Sequence, residues 1–374
     1  MKIIIAGDFC DCGHASKKIR KGEYSSMFDD VKPLIEQADF RIVNFEFPIV
    51  LNEGHPIAKC GSNLKGSKES VSAIKYAGFN ICTLANNHIL DQGADCCMIT
   101  KQVLEDEGLR TVGVGSTIEE ANTPLYITKD GETLAVINCC EHEYSIVSDS
   151  QYGANPVNAI QQYYKIKEAR KKADYVVVII HGGHEMYQLP SPRMKELYRF
   201  YIDCGADAVI NHHQHCFSGY EIYNNKPIFY GLGNFLFDNI MNADTRWNDG
   251  YMVELNLNRV QCSFNIHPYH QSVVPATVKL LDESDRKAFE DAINKLNVII
   301  ADDVELSRCF KEHSDNIKNG LIPIFLPYNN RYLNALCKRG VLPSFISKSK
   351  KLRIANYLNC ESHLDCLREI VSKL

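Results

Sequence analysis

The sequence predicts a layered α/β architecture, followed by a helical carboxy-terminal extension. Three observations support this prediction. Short apolar runs rich in β-branched residues alternate with helical patterns over roughly the first 240 residues. Several of those runs end directly in His, Asp, Glu or Asn. After about residue 282 the segments become charged and amphipathic, and they contain no cluster of candidate catalytic residues.

Six strands and five helices are predicted in the first part of the chain. The strands are at 2–7, 41–45, 79–84, 132–139, 175–180 and 207–211. The helices are at about 27–38, 67–77, 94–107, 157–173 and 192–203. Residues 219–257 have the pattern of a meander, with Asn224 and Asn225 as a turn.

Two domains are predicted because 374 residues exceed the length of a typical single domain. The first covers residues 1–281, and the helical extension covers 282–374. Helices within the extension are predicted at 284–299, 331–339, 347–358 and 361–373.

Composition narrows the class of protein. A hydrophobic content of 45%, a charged content of 23% and a formal net charge of −5 describe an ordinary globular protein. The negative charge argues against nucleic acid and anionic membrane surfaces as main partners.

The apolar run at 2–6 is too short for a signal peptide or a membrane span, so we expect a cytoplasmic protein without a membrane span. The 15 cysteines lack Cys-x-x-Cys spacing and are expected to be mostly reduced thiols.

Polar residues follow the predicted strands at the positions where open α/β sheets bind their ligands. They are Asp8, Asn44, Glu46, Asn86, Asn87, His88, Asp91, His181, His184, Glu185, His212, His213, His215, Asn234 and Asp238. Carboxylates, imidazoles and an Asn carbonyl form a ligand set that suits divalent manganese, iron or zinc. We therefore expect these strand ends to meet at a metal site.

Each segment also has a simpler structural interpretation. Gly7-Asp8 alone is typical of a turn, and Asn86 and Asn87 suit a hydrogen-bonded loop. His213 and His215 are two residues apart, as an extended segment requires for both to point the same way. The segment 141–143 is interpreted either as a substrate or metal contact or as a solvated loop. Taken together, the simpler explanation would require a coincidence at five separate strand ends.

The pattern resembles that of the metallophosphatase (calcineurin-like phosphoesterase) superfamily. The residues that carry the resemblance are Asp8, Asn87-His88 with Asp91, His181, and His213-x-His215. More specifically, the chain resembles the CapA family of capsule and poly-gamma-glutamate synthesis proteins, with matching motifs in order across residues 7–238. The resemblance implies a metallophosphatase-like α/β sandwich.

The resemblance also implies roles for individual residues. Two divalent metal ions (Mn, Fe or Zn) would be held by Asp8, Glu46, Asn87, His181, His213 and His215. His88 would protonate the leaving oxygen, and Asp91 would orient the His88 imidazole. Glu185 is predicted to contact either the substrate or one of the metal ligands, and Asn234 is predicted to contact the substrate. Cys10 stands where the superfamily usually has a His, which leaves open whether its thiolate ligates a metal or the first metal site is weaker.

The function implied is a metal-dependent hydrolase of phosphoester type, associated with capsule or poly-gamma-glutamate-like polymer synthesis. Its partners would be a phosphorylated or polyanionic substrate and the capsule-synthesis machinery. Two alternatives remain open. One is a non-catalytic polymer-binding or assembly component, and the other is a metal-dependent amide hydrolase that acts on glutamyl linkages.

Overall fold

A computed structural model describes residues 1–238, 245–258, 262–321, 330–343 and 346–359. The strands are β1 (Lys2–Cys10), β2 (Phe40–Phe45), β3 (Ile81–Thr83), β4 (Arg110–Val112), β5 (Val114–Gly115), β6 (Leu125–Lys129), β7 (Glu132–Cys140), β8 (Gly153–Ala154), β9 (Tyr175–His181), β10 (Ala208–His212), β11 (Tyr220–Tyr223), β12 (Lys226–Phe229), β13 (Asn234–Phe237), β14 (Asp249–Leu257), β15 (Cys262–Val273) and β16 (Ala276–Leu280). The helices are α1 (Gly13–Lys21), α2 (Ser25–Phe28), α3 (Lys32–Ile35), α4 (Glu69–Ala77), α5 (Ala94–Asp106), α6 (Ile118–Ala121), α7 (Ala159–Lys172), α8 (Pro192–Cys204), α9 (Glu283–Ala301), α10 (Asp303–Leu321), α11 (Arg331–Lys338) and α12 (Lys348–Asn359).

Two large sheets organise the first part of the chain. The first has the order β16-β15-β14-β1-β2-β3-β4, with β13 also paired to β1. Its strands β1 to β4 run parallel, whereas β14 to β16 are joined as antiparallel neighbours. The second sheet has the order β11-β12-β10-β9-β7-β6, and β7, β9, β10 and β12 run parallel within it. Each sheet therefore presents several carboxyl strand ends at one edge.

The two sheets face each other, and helices cover their outer faces. Alternate residues of β1 show this arrangement, because Ile5 joins a core cluster that includes Ile179 of β9, whereas Ile4 joins a cluster that includes Phe28 of α2 and Ile74 of α4. Helices α7 and α8 pack against the second sheet. Burial on both faces explains why the central strands are continuous apolar runs. The predicted layered α/β sandwich is confirmed.

Most of the predicted elements are present. The six predicted strands correspond to β1, β2, β3, β7, β9 and β10. Asn224 and Asn225, with φ of 49° and 59°, form the predicted turn between β11 and β12. The single helix predicted over 27–38 is wrong, because two four-residue helices occupy this region and Pro33 sits in the first turn of the second. Helices α1, α6 and α10 are not among the predicted elements, and the helix predicted at 361–373 lies outside the described residues.

The chain divides into two compact units, Met1–Arg308 and Cys309–Leu374. Helix α9 belongs to the first unit, because Phe289 and Ile293 join the core cluster between the sheets. The Asn297 side chain also accepts a hydrogen bond of 2.7 Å from the Tyr220 amide. The predicted domain boundary at 281/282 stays a prediction. Helix α9, which follows this boundary in the chain, packs on the core of the first unit. None of the described helices combines the length and apolar character needed to cross a bilayer.

Gly7 allows β1 to pass close to the loop before β13, and we predict that Gly7→Ala is strongly destabilising. A Cβ atom at Gly7 would lie 1.8 Å from the carbonyl oxygen of Gly233, and the next residue on each side, Asp8 and Asn234, is paired in the sheet. We expect a loss of about 2–3 kcal/mol in the free energy of unfolding, measured by denaturant titration.

Gly131→Ala is the control, since Gly131 has φ of 81° but no heavy atom of the described residues lies within 4 Å of the position that a Cβ atom would take there. Left-handed backbone strain alone should cost about 1 kcal/mol at this position. Equal losses for the two variants would contradict the packing argument.

Candidate metal centre

The carboxyl ends of the parallel strands in both sheets converge at one site. Asp8 lies in β1 and Glu46 directly follows β2, and both come from the first sheet. Asn87 lies in the loop after β3, and His181 is the last residue of β9. His213 and His215 follow β10. All six predicted metal ligands are thus delivered by strand ends, as the sequence predicts.

Each of the six side chains lies within 4 Å of at least one other member of the set. His181 Nε2 lies 2.9 Å from Asn87 Oδ1, 3.1 Å from His213 Nδ1 and 3.5 Å from Glu46 Oε1. His215 places Nδ1 3.6 Å from Asp8 Oδ2 and Nε2 3.6 Å from Glu46 Oε1. Glu46 is therefore shared by two groups whose ligand atoms lie within 4.8 Å: one with His181 and His213, the other with Asp8 and His215.

The chemistry of these groups fits divalent cations. Glu46 is fully buried, and its Oε1 atom has no hydrogen-bond partner among the described residues. Burial, followed by the nearby charge of Asp8, raises the pKa of Glu46 well above its usual value. Burial lowers the pKa of His181, and it lowers the pKa of His215 to about 4, so both imidazoles are neutral at pH 7 and can offer a lone pair. Burial therefore opposes the ionisation of Glu46, and Asp8 and Glu46 can both be ionised here only beside a compensating positive charge.

The backbone at the two last histidines differs from the extended segment that the sequence suggests. Strand β10 ends at His212, and His213 and His215 have φ of 88° and 54°. Their side chains converge through left-handed backbone, which costs about 1–3 kcal/mol at a non-glycine residue. The His213 amide donates a hydrogen bond of 3.1 Å to Asp8 Oδ2, which helps to hold this conformation. The expectation of period-two geometry at this position is wrong, although the convergence that it predicts occurs.

His88 and Asp91 form a pair beside the six predicted ligands. His88 Nδ1 lies 2.5 Å from Asp91 Oδ2, so Nε2 is the ring nitrogen left for other contacts. The His88 side chain is 13% exposed, whereas that of Asp91 is fully buried. Asn86 holds the loop in place, because its Nδ2 donates to the Phe45 carbonyl (2.9 Å) and its Oδ1 accepts from the His88 amide (3.1 Å).

Two residues without an assigned role also reach the centre. Asn44 Nδ2 donates to Asp8 Oδ1 at 2.7 Å and lies 3.2 Å from His181 Nδ1. Glu143 Oε2 accepts from Asn87 Nδ2 at 2.8 Å. Asn44 and Glu143 both lie near the ends of predicted strands, and this position is the sequence signal that identifies them as candidate site residues. Nothing local in the sequence distinguishes such a positioning contact from a solvated turn.

The two predicted substrate contacts occupy different environments. Asn234 is fully buried beneath His215, where its Oδ1 lies 2.8 Å from His215 Nδ1 and its Nδ2 donates to the carbonyls of His215 and Trp247 (3.1 Å each). The Asn234 side chain therefore orients the His215 ring and does not face the solvent. Glu185 is exposed, and its carboxylate lies within 4.8 Å of ligand atoms of His213 and His215.

Cys10 does not join the candidate ligand groups found among the described residues. It is fully buried in the apolar cluster of the first sheet. Burial, followed by a contact with Cys12, raises the pKa of its thiol well above the usual value.

A cleft of about 440 Å³ opens above the centre. Its lining residues are Cys12, Lys59, Cys60, Gly61, Ser62, Leu64, Asn87, His88, Glu143, Tyr144, Glu185, Met186, His215, Phe237, Asp238 and Trp247. The Trp247 ring packs on His215 with centroids 4.7 Å apart, and its Nε1 donates to the Phe237 carbonyl at 2.7 Å. This lining contains three carboxylates and one lysine, so the described walls of the cleft are acidic.

The fold and this site define a layered α/β protein with a buried carboxylate, imidazole and amide centre of the kind that binds divalent metals. The chain belongs to the family described as bacterial capsule synthesis protein PGA_cap, which it matches over residues 2–239. It is 31% identical over 265 residues to the capsule biosynthesis protein CapA of Bacillus anthracis, covering 69% of this chain and 64% of that protein. It is 30% identical over 283 residues to the PGA biosynthesis protein CapA of Bacillus subtilis (strain 168), covering 73% and 72%. The match thus spans slightly less than two thirds of the first of these relatives.

Solved structures with a detectable likeness include two proteins of low sequence identity. The NAD nucleotidase of Haemophilus influenzae gives a TM-score of 0.41 at 11% identity, covering 85% of this chain and 60% of that one. A phosphatase from Mycoplasma pneumoniae gives a TM-score of 0.40 at 14% identity, covering 77% and 96%.

Proposed function

We propose that this protein is a metal-dependent hydrolase of phosphoester type that acts in the synthesis of a capsule or poly-gamma-glutamate-like polymer. The observation that carries the proposal is the convergence of six ligand-type side chains next to the His88–Asp91 pair, at the floor of an open cleft. Membership of the capsule synthesis family supports the biological context.

In this proposal the metal ions are held by Asp8, Glu46, Asn87, His181, His213 and His215. When bound, two divalent ions would activate water and stabilise the charge that develops on a phosphoryl group. Glu46 would contact both ions, since its carboxylate belongs to both ligand groups. Asn44 and Asn234 would orient Asp8 and His215 through the hydrogen bonds that they make to them.

His88 would donate a proton to the leaving oxygen of the substrate. Asp91 engages Nδ1, so Nε2 is the ring nitrogen left for the substrate, and His88 is one of the residues that line the cleft. Proton donation of this kind commonly contributes a factor of about 10²–10⁴ in rate.

The charge of the cleft favours a phosphoester over a glutamyl polymer as the group that is cleaved. Glu143 and Glu185 flank the centre, and the Lys59 ammonium is paired with Asp91. A polymer with one carboxylate per residue would bring repeated negative charges against these walls, whereas a phosphodiester brings a single one. We therefore propose a phosphodiester as the preferred class of substrate.

Metal analysis combined with a substrate panel tests this proposal. Protein stripped by chelation and reloaded with Mn²⁺, Fe²⁺ or Zn²⁺ is expected to hydrolyse bis(p-nitrophenyl) phosphate, and faster than p-nitrophenyl phosphate or a γ-glutamyl anilide. His181→Asn is the matched control for contaminating phosphatases, because it should lose the activity. Bound metal without turnover would support the non-catalytic binding role, and cleavage of the anilide alone would support the amide hydrolase.

A further inference from the structure

The segment 55–64 contributes Lys59, residues 60–62 and Leu64 to one wall of the cleft, and this segment is attached to the loop that carries the proton donor. The His55 amide donates to the Gln92 carbonyl (3.0 Å), and Gln92 Nε2 donates to the Leu64 carbonyl (3.0 Å). The Leu64 amide donates to Asp91 Oδ2 (2.6 Å). Asp91 therefore holds this wall and the His88 ring at the same time.

Lys59 is the charged contact within this attachment. Its side chain is only 2% exposed, and its Nζ atom lies 2.5 Å from Asp91 Oδ1. The same Nζ atom lies 3.1 Å from His88 Nδ1 and 5.7 Å from the centre of the Tyr144 ring. A buried ammonium depends on its counterion, so this contact is favoured over solvent-exposed alternatives.

The contact restricts how the Asp91 carboxylate can rotate. Among the described residues, Lys59 is the hydrogen-bond partner of Oδ1, while Leu64 and His88 occupy Oδ2. With both oxygens engaged, Oδ2 stays directed at His88 Nδ1. Without Lys59, the buried Oδ1 would lack a partner, and rotation of the carboxylate would release the His88 ring.

We infer that Lys59 is a positioning residue for His88, and that it acts through Asp91. A direct role in binding an anionic substrate does not fit, because the ammonium is buried and already paired. The effect of Lys59 on the rate rests on the proposed phosphoesterase function, whereas the positioning of the His88 ring by Lys59 and Asp91 does not. Nothing in the motifs of the sequence assigns a role to Lys59.

The dependence of rate on the leaving group tests the inference. A p-nitrophenolate leaves without protonation, whereas phenolate needs a proton donor. Lys59→Met is therefore expected to lower kcat by roughly 10- to 100-fold for a phenyl phosphodiester. For the corresponding p-nitrophenyl phosphodiester the loss of kcat should be much smaller, and KM should be nearly unchanged for both substrates. Lys59→Arg should restore part of the loss, and Lys65→Met, which removes an exposed lysine close by in the chain, should match the wild type.

A double-mutant cycle covers the case in which Lys59→Met leaves Asp91 as an unpaired buried charge and impairs folding. In an Asp91→Asn background that charge is gone, and adding Lys59→Met should cause little further loss of kcat. Additive losses, equal losses for the two leaving groups or a rise confined to KM would each overturn the inference.

NMR of the imidazole nitrogens gives a readout that does not depend on activity. In the full-length wild type, we expect a strongly downfield proton on His88 Nδ1, assigned by its absence in His88→Gln, and we expect its loss or shift in Lys59→Met. An unchanged His88 signal in Lys59→Met would overturn the inference. If the wild type hydrolyses neither ester, the proposed function fails, and the NMR comparison still decides the role of Lys59.

Discussion

Replacing His88 with glutamine is expected to lower kcat for a phenyl phosphoester by about 10²–10⁴-fold while the metal content stays the same. The reason is geometric. His88 lies beside the candidate ligands but outside the groups of closely spaced ligand atoms found among the described residues. The His88 Nδ1 atom is engaged by Asp91 at 2.5 Å. Replacing the His88 imidazole therefore removes the proposed proton donor and leaves the candidate metal ligands intact. Turnover and metal content are measured on the same protein sample.

His55→Gln is the matched control for this substitution. His55 is exposed, is not among the residues that line the cleft and contacts Gln92 through its backbone amide, so its side chain should be dispensable. Unchanged turnover in His88→Gln would contradict the role assigned to His88. A parallel loss of metal would show instead that His88 acts as a ligand.

The fold could be predicted because its signals are local. Strands buried on both faces leave continuous apolar runs, such as Val176–Ile180 in β9, and these are visible without any knowledge of the partners. One helix prediction failed although its signal was present, because Pro33 lies in the first turn of a second short helix instead of inside a single helix over 27–38. The helix predicted at 284–299 is present as α9, whereas its packing on the first unit through Phe289 and Ile293 depends on distant partners.

The ligand set could be predicted from residue type at strand ends, but the contacts that support it could not. Asn44 and Asn234 look alike in sequence, yet one donates to Asp8 and the other lies beneath His215. Lys59 is separated from Asp91 by 32 residues, and no periodic pattern connects the two. Such contacts depend on how loops from different strands meet, which composition and spacing do not encode.

Replacing Glu46 with glutamine is expected to remove most of the bound metal. Glu46 belongs to both ligand groups, so losing its charge weakens the site for each ion, whereas a ligand such as His181 belongs to one group only. We expect metal analysis after dialysis to show a fall for both ions, and the rise in Tm that metal addition produces in the wild type to disappear.

The same substitution should stabilise the metal-free protein. Glu46 is fully buried, its Oε1 lacks a hydrogen-bond partner among the described residues, and Asp8 lies within the same group of ligand atoms. Because burial and the charge of Asp8 raise the pKa of Glu46 well above its usual value, folding without metal must either protonate this carboxylate or bury its charge. An uncharged amide of the same shape avoids both costs, so metal-free Glu46→Gln should unfold at a Tm higher than that of the metal-free wild type. A gain of about 1 kcal/mol corresponds to roughly 1–2 °C in a unit of this size. Glu53→Gln, which changes an exposed carboxylate, should alter neither Tm nor metal content. A metal-free Glu46→Gln protein with lowered Tm would mean that the carboxylate serves the fold, and retained metal would mean that the two ions do not share it.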